Sequence, residues 1–210
     1  MKLTLNTFLS LDGVMQGPGG PDEDVSGGFD LGGWLVPHVD EDFGRIVDGW
    51  FAQAEALLLG RTTYQMMQPY WEQVTDPDNS VATAMNTLPK YLVSATVTEP
   101  TWQNTRVISN DVAGAVAGLK SRPGGELQVH GSHRLARTLH DAGLVDEYRL
   151  ILFPVALGKG KRLFDDGAVP SAFELVDSTI TGAGAVALTL RPKPFGTGYI
   201  GVDDGRGTVQ

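Results

Sequence analysis

Cysteine is absent from the 210 residues, so disulfides, thiolate metal sites and a cysteine nucleophile are all excluded. That absence fits a reducing compartment, and a cytoplasmic location is the expectation. Positive charge is scarce. Sixteen Lys and Arg stand against 25 Asp and Glu, giving a formal net charge of −9 and a pI near 4.8. Such a surface repels a phosphodiester backbone or an anionic membrane, so neither nucleic acid nor membrane is expected as a partner, although a local pocket can still be positive. No apolar run reaches the roughly 20 residues that span a bilayer. The opening stretch alternates polar and apolar residues with no small-residue cleavage site behind it, so it reads as a strand and not as a secretory signal.

What is present is a core-forming pattern, with 41% hydrophobic residues. Leu3, Leu5, Thr7 and Leu9 share one face of a first strand, and Phe8 sits on the other. Residues 17–33 are rich in Gly, Pro and Asp and read as a long mobile loop. Phe43, Ile46, Val47, Trp50, Phe51 and Ala54 then fall at helical spacing behind an Asp40 N-cap. Residues 56–59 read as a buried strand that runs through Gly60 into a short helix opened by Arg61. A helix over 80–86 and strands over 90–94 and 106–108 follow. Asn110 can cap a helix carrying Val112, Val116 and Leu119, which Pro123-Gly124-Gly125 stops. A strand around Leu127 and Val129 enters Gly131-Ser132 and a helix carrying Leu135, Ala136 and Leu139. Residues 148–155, 173–176 and 186–190 are strand-like, and 192–210 have the composition of a loose tail. Strands alternating with helices, then strands alone, predict one α/β three-layer domain over 1–191, with a mainly parallel sheet and an antiparallel C-terminal edge.

In an open parallel sheet, ligands bind beyond the carboxyl ends of the strands. Two strand-to-helix junctions carry suitable chemistry. At one, Gly60 permits close backbone approach, Arg61 offers a charged fork, and Thr62 and Thr63 add hydroxyls beside free N–H groups, which suits a phosphate. At the other, Gly131-Ser132 opens a helix in the same way. Plain helix capping accounts for either junction alone; two junctions and the arginine together favour a dinucleotide. No G-x-G-x-x-G follows a strand, which argues against an ordinary Rossmann site.

Five segments appear in order: Ser10-Leu11-Asp12-Gly13, Leu59-Gly60-Arg61-Thr62-Thr63-Tyr64, Leu88-Pro89-Lys90-Tyr91-Leu92-Val93-Ser94, Gln128-Val129-His130-Gly131-Ser132, and Leu144-Val145-Asp146-Glu147-Tyr148-Arg149-Leu150 running on through Pro154 to Gly158. Together they resemble the dihydrofolate-reductase-like family that includes the C-terminal reductase domain of bacterial riboflavin biosynthesis, RibD. The resemblance implies the fold of that family and an NADPH-dependent oxidoreductase, similar to dihydrofolate reductase or 5-amino-6-(5-phosphoribosylamino)uracil reductase. It implies that Arg61 and Ser94 face the adenosine 2'-phosphate and that Thr62 and Thr63 lie near the pyrophosphate. Gly131 and Ser132 would take the place of the family's glycine pair, with His133 or Arg134 near the adenosine end. Leu9 and the Asp12-Gly13 turn would border the nicotinamide. Arg61 independently favours NADP over NAD, because it can pair with the extra phosphate.

Trp34 followed by Asp40 resembles the tryptophan-to-acid stretch that ends the mobile loop of dihydrofolate reductases, which implies a catalytic pair. The other reading makes Asp40 the helix N-cap and Trp34 a loop anchor. The substrate expected is a small pterin-like, pyrimidine-like or carbonyl compound. The basic segment 158–162 is either a solvated loop or a receiver for a phosphorylated substrate. His130, His133 and His140 lack metal-ligand spacing, and Asp76-Pro77-Asp78-Asn79 reads as a turn, so no metal is expected. The alternative function is a non-catalytic nucleotide-binding or sensor protein that keeps the fold. The riboflavin-pathway relatives also suggest a homodimer, with the 148–155 strand at its interface.

Overall fold

The computed structural model describes residues 1–204 and 206–209. Among these residues ten strands and five α-helices follow one another as β1 (Lys2–Ser10), α1 (Glu41–Phe51), β2 (Ala54–Gly60), α2 (Arg61–Trp71), α3 (Ser80–Thr87), β3 (Lys90–Val93), β4 (Thr105–Ile108), α4 (Val112–Lys120), β5 (Glu126–His130), α5 (His133–Asp141), β6 (Glu147–Phe153), β7 (Ala172–Ile180), β8 (Val186–Lys193), β9 (Ile200–Asp203) and β10 (Arg206–Val209). The first eight strands form one sheet in the order β4-β3-β2-β5-β1-β6-β8-β7. Every pair from β4 to β6 is parallel, and β8 and β7 add antiparallel at the end, as the strand-helix alternation predicts.

Strand β2 shows why three layers form. Its run Ala56-Leu57-Leu58-Leu59 is buried on both faces, which only a sheet covered on both sides can satisfy. Ala56 and Leu58 join Leu3, Leu5, Leu127 and Val129 against Val116 and Leu119 of α4 and Leu135 and Leu139 of α5. Leu57 and Leu59 face Phe51 of α1, Tyr64 of α2 and Met85 of α3. The Asp40 carboxylate caps α1 by accepting from the Phe43 N–H at 2.8 Å. Helix α4 is capped by Asp111, not by Asn110. Asp111 takes a left-handed conformation that brings its carboxylate to the Gly114 N–H.

Three expectations need correction. Strand β7 reaches Ile180, well beyond the apolar 173–176 segment, because its exposed half (Asp177, Ser178, Thr179) pairs with β8 without needing apolar side chains. Strand β6 pairs with β1 on one side and β8 on the other, so it is interior and offers no edge to a second chain. Beyond Lys193, where composition suggests a loose tail, β9 and β10 form an antiparallel hairpin separate from the main sheet.

The middle of the sheet carries a buried ionic cluster on the face toward α1. Arg149 is only 5% exposed and donates to both oxygens of Glu126 at 2.6 and 2.8 Å and to Glu147 at 3.0 and 3.1 Å. Lys2 reaches the same Glu147 oxygen, Oε1, at 2.7 Å. Burial pushes the Glu147 carboxyl up, but Lys2 and Arg149 outweigh it and hold the group below the usual carboxylate range. Arg149→Ala leaves two buried carboxylates with only the partly exposed Lys2 between them and should destabilise the protein by about 3–5 kcal/mol in urea unfolding. The triple variant Arg149→Met, Glu126→Gln, Glu147→Gln should recover most of that loss. Because the folded value of Glu147 is depressed, its stabilisation is complete above the unfolded pKa of about 4.3 and disappears as pH falls through the folded one. Wild type should therefore lose stability below about pH 4 more steeply than the triple variant.

Candidate functional site

Because β3, β2, β5, β1 and β6 are parallel, their carboxyl ends share one edge of the sheet. Along that edge lie Ser94 after β3, Gly60 to Thr63 after β2, Gly131 to Arg134 after β5, and Leu9 to Gly13 at the end of β1. The two junctions singled out in the sequence touch. The Gly60 N–H donates to Ser132 Oγ at 2.9 Å, and the Ser132 N–H donates to Thr63 Oγ1 at 3.1 Å. Gly131 and Ser132 both take positive φ, 56° and 61°, and a Cβ at Gly131 would already be in contact with Thr63.

The helix caps sort into two groups. Helices α1, α3 and α4 have side-chain caps from Asp40, Asn79 and Asp111. Helices α2 and α5, the two that start at the junctions, have none. Their first-turn N–H groups gain no partner from a capping side chain, and both point to the same edge, an arrangement that suits an anion. Beside them Arg61 is exposed and donates to Thr96 Oγ1 at 3.1 Å. The Ser94 hydroxyl accepts from the Thr96 and Val97 N–H groups at 3.2 and 2.9 Å. Arg61, Ser94 and Thr96 thus form one polar corner, with Thr62 exposed next to it.

Other predicted residues stand apart from this corner. The Leu9 side chain is buried in the core under α4 and α5, leaving only its backbone at the edge. His133 turns toward the loop after β6, where its Nε2 is 3.3 Å from Asp165, on the side of the edge away from Arg61 and Ser94. Arg134 is exposed. Asp12 is a clamp: one oxygen accepts from the Ser10 hydroxyl at 2.7 Å and the Leu157 N–H at 3.0 Å, the other from the Gly158 N–H at 2.8 Å and Arg162 at 3.3 Å. The Ser10 hydroxyl, followed by those N–H groups, holds its carboxyl well below the usual range. Gly13 supplies the positive φ, 79°, that closes the turn.

The 17–33 loop, read as mobile, is tethered, and the basic segment 158–162 does the tethering. Lys159 pairs with Asp30 and Lys161 with Asp24, each at 2.5 Å, while Arg162 holds Asp12. A Cβ at Gly160 would lie 2.6 Å from Val14 and 3.0 Å from Phe29, so only glycine permits this closeness. These cations are engaged by carboxylates. Trp34 is buried, donates its indole N–H to the Gln16 carbonyl at 2.8 Å, and packs edge-on to Phe153. It anchors the loop. Asp40 is occupied on both oxygens, by the Phe43 N–H and by the Ala183 N–H at 2.7 Å. Those backbone bonds, the Phe43 one first, lower its pKa, the opposite of what a proton donor at neutral pH needs.

The sequence reading missed a cleft of about 550 Å³ between α1, α2 and α3. Its walls are Phe43, Val47 and Phe51 of α1, Met67 and Trp71 of α2, and Val81 and Met85 of α3. Asp48, Asp76 and Asp78 also line it, and Phe8 of β1 and His130 of β5 contribute from the sheet. Helical spacing marked Phe43 and Val47 as core, which they partly are, and could not show the gap beyond them. Gly44 lines the cleft, and nothing lies within 4 Å of where its Cβ would be. Among the described residues no cluster of His, Cys, Asp or Glu could hold a metal ion, and no helix is long and apolar enough to cross a membrane.

Comparison with known proteins agrees with this architecture. The family model of the RibD C-terminal domain matches residues 1–187. Uncharacterized protein YyaP of Bacillus subtilis (strain 168) is 28% identical over 190 residues, spanning 89% of this chain and 93% of that protein. A proposed riboflavin biosynthesis protein from Shewanella sp. PV-4 superposes with a TM-score of 0.67 at 21% identity, covering 92% of this chain and 100% of the other. Dihydrofolate reductase from Enterococcus faecalis, solved with NADP(H) and RAB-propyl, gives 0.58 at 12% identity, covering 92% and 97%. At these identities the structural likeness is one of fold. The chain therefore belongs to the RibD C-terminal domain family, a family of oxidoreductase type built on the dihydrofolate-reductase-like fold.

Proposed function

We propose that the protein is an NADPH-dependent reductase acting on a small heterocyclic or carbonyl substrate held in the α1–α3 cleft. One juxtaposition carries this reading. Phe8 and His130, which line the cleft, are the chain neighbours of Leu9 and Gly131 on the sheet edge that bears the two uncapped helix N-termini. A ring in the cleft and a cofactor along the edge would meet there. When bound, NADPH supplies a hydride to a C=N or C=O bond, and water supplies the proton.

The residues present fit such a cofactor. Arg61 with the Ser94–Thr96 corner offers a cation and hydroxyls for the 2'-phosphate. The open N-termini of α2 and α5, beside Thr62 and Thr63, offer N–H groups to the pyrophosphate. The Asp12-Gly13 turn, held by Leu157, Gly158 and Arg162, would border the nicotinamide. The tethered 17–33 loop would keep bulk water from the reacting face. Asp40 and Trp34 act in this reading through structure, by setting the start of α1 and the position of the loop. Soluble expression without membrane extraction, a cytoplasmic location and a homodimer belong to the same proposal.

Titration with NADPH and NADH, followed by nicotinamide fluorescence, tests the reading directly. Wild type should bind NADPH, and Arg61→Ala should weaken NADPH at least about tenfold while changing NADH much less, the loss expected for one charge-assisted contact. No binding of either cofactor sinks the proposal; binding without oxidation across carbonyl and heterocyclic substrates points instead to the non-catalytic alternative. Asp40→Asn should lower the thermal midpoint yet leave kcat within about twofold of wild type, whereas a proton donor at this position would cost about a hundredfold or more.

A further inference from the structure

We propose that the α1–α3 cleft selects an uncharged or cationic planar aromatic substrate that presents an N–H or O–H to Nδ1 of His130, and rejects substrates carrying phosphate or carboxylate groups. This deepens the reductase reading by naming the substrate class, and it rests on that reading for the identity of the site.

Charge supports the first half. The residues lining the cleft include Asp48, Asp76 and Asp78 and no Lys or Arg. Arg45, on the same helix as Asp48, is paired with Asp42, and the basic 158–162 segment is engaged by Asp12, Asp24 and Asp30. A dianionic group in the cleft would face three carboxylates with no counter-charge, while a cation would be drawn in. The aromatic walls formed by Phe43, Phe51 and Trp71 suit a flat ring and add further attraction for a cationic one.

A chain of hydrogen bonds supports the second half by fixing the tautomer of His130. Arg149 holds the Glu126 carboxylate, which can only accept. Gln128 must therefore point its amide NH2 at Glu126, at 2.8 Å, and the same group donates to the Trp50 carbonyl at 2.6 Å. Its amide oxygen is left facing His130 Nε2 at 3.0 Å, so Nε2 carries the proton and donates. The ring is kept neutral by burial and by the nearby Arg149 cation, which hold its pKa down at about 3. Nδ1 is thus a bare acceptor. The residue is 8% exposed, stacked on Phe51 at 4.5 Å and 10°, and lines the cleft, yet among the described residues no donor reaches Nδ1. A nearly buried acceptor held at a fixed angle in an aromatic cleft is a recognition group for a ligand donor.

Isothermal calorimetry on the full chain, with three probes sharing one ring, separates the outcomes. 6-Hydroxymethylpterin and 6-aminomethylpterin should bind, and the phosphate ester of the former should bind at least about tenfold more weakly. The double variant Asp76→Asn, Asp78→Asn should narrow that gap. His130→Leu, checked for folding by circular dichroism, should weaken the uncharged probe about tenfold. Phosphate-ester binding as tight as that of the alcohol, no binding by either uncharged or cationic probe, or an unchanged affinity in His130→Leu overturns the inference. Cofactor titration is a separate readout. Charge discrimination without NADPH binding would remove the reductase reading and leave the cleft assignment standing, and the converse result would do the reverse.

Discussion

A guanidinium taken out of water costs several kcal/mol unless every donor is met, and in this fold the groups that meet Arg149 come from different elements. Glu126 opens β5, Glu147 opens β6, and Gln53 follows α1. Lys2 at the start of β1 completes the charge balance. The central strands cannot slip in register without breaking this arrangement, because a shift of one residue would send Arg149 to the opposite face. The same cluster continues through Gln128 to His130, so the interaction that fixes the strands also fixes the protonation of the group at the cleft.

Net charge read from composition says that the protein is acidic, but not where its few cations go. The structure shows Lys159, Lys161 and Arg162 engaged in closing one loop over another, and Arg149 in joining strands. Arg61 differs. It is exposed, with a hydroxyl as partner, and it stands beside two helix N-termini without side-chain caps. Sheet edge and cleft therefore have opposite electrostatic character, one offering N–H groups and a cation, the other three carboxylates and an acceptor nitrogen.

The layers and both junctions were legible because they rest on local signals. The unbroken apolar run of β2 required cover on both faces, the spacing from Phe43 to Phe51 gave the α1 stripe, and Asp40 before Glu41 and Asp42 marked its start. Gly60 followed by Arg61, Thr62 and Thr63, and Gly131 followed by Ser132, gave the edge. The rest depended on contacts between residues far apart in sequence. Asp12 meets Arg162 across 150 residues and Arg149 meets Glu126 across 23, and no periodicity records either. The cleft was illegible for another reason: a helical stripe shows which side chains avoid water, and not whether the opposing surface is a neighbour or a gap. Beta strand length failed at β7 because an edge strand is defined by its backbone partner, whatever its side chains do.

Helices α2 and α5 begin without the side-chain caps that the other three possess, and both begin at the same edge. A molecule that satisfies those N–H groups contributes to folding as much as to chemistry, since it binds the folded chain and not the unfolded one. Resistance to proteolysis, and hence the time a copy survives, then rises with occupancy of the edge. For any ligand that binds there, the open ends of two short helices would make persistence of the protein a record of its presence.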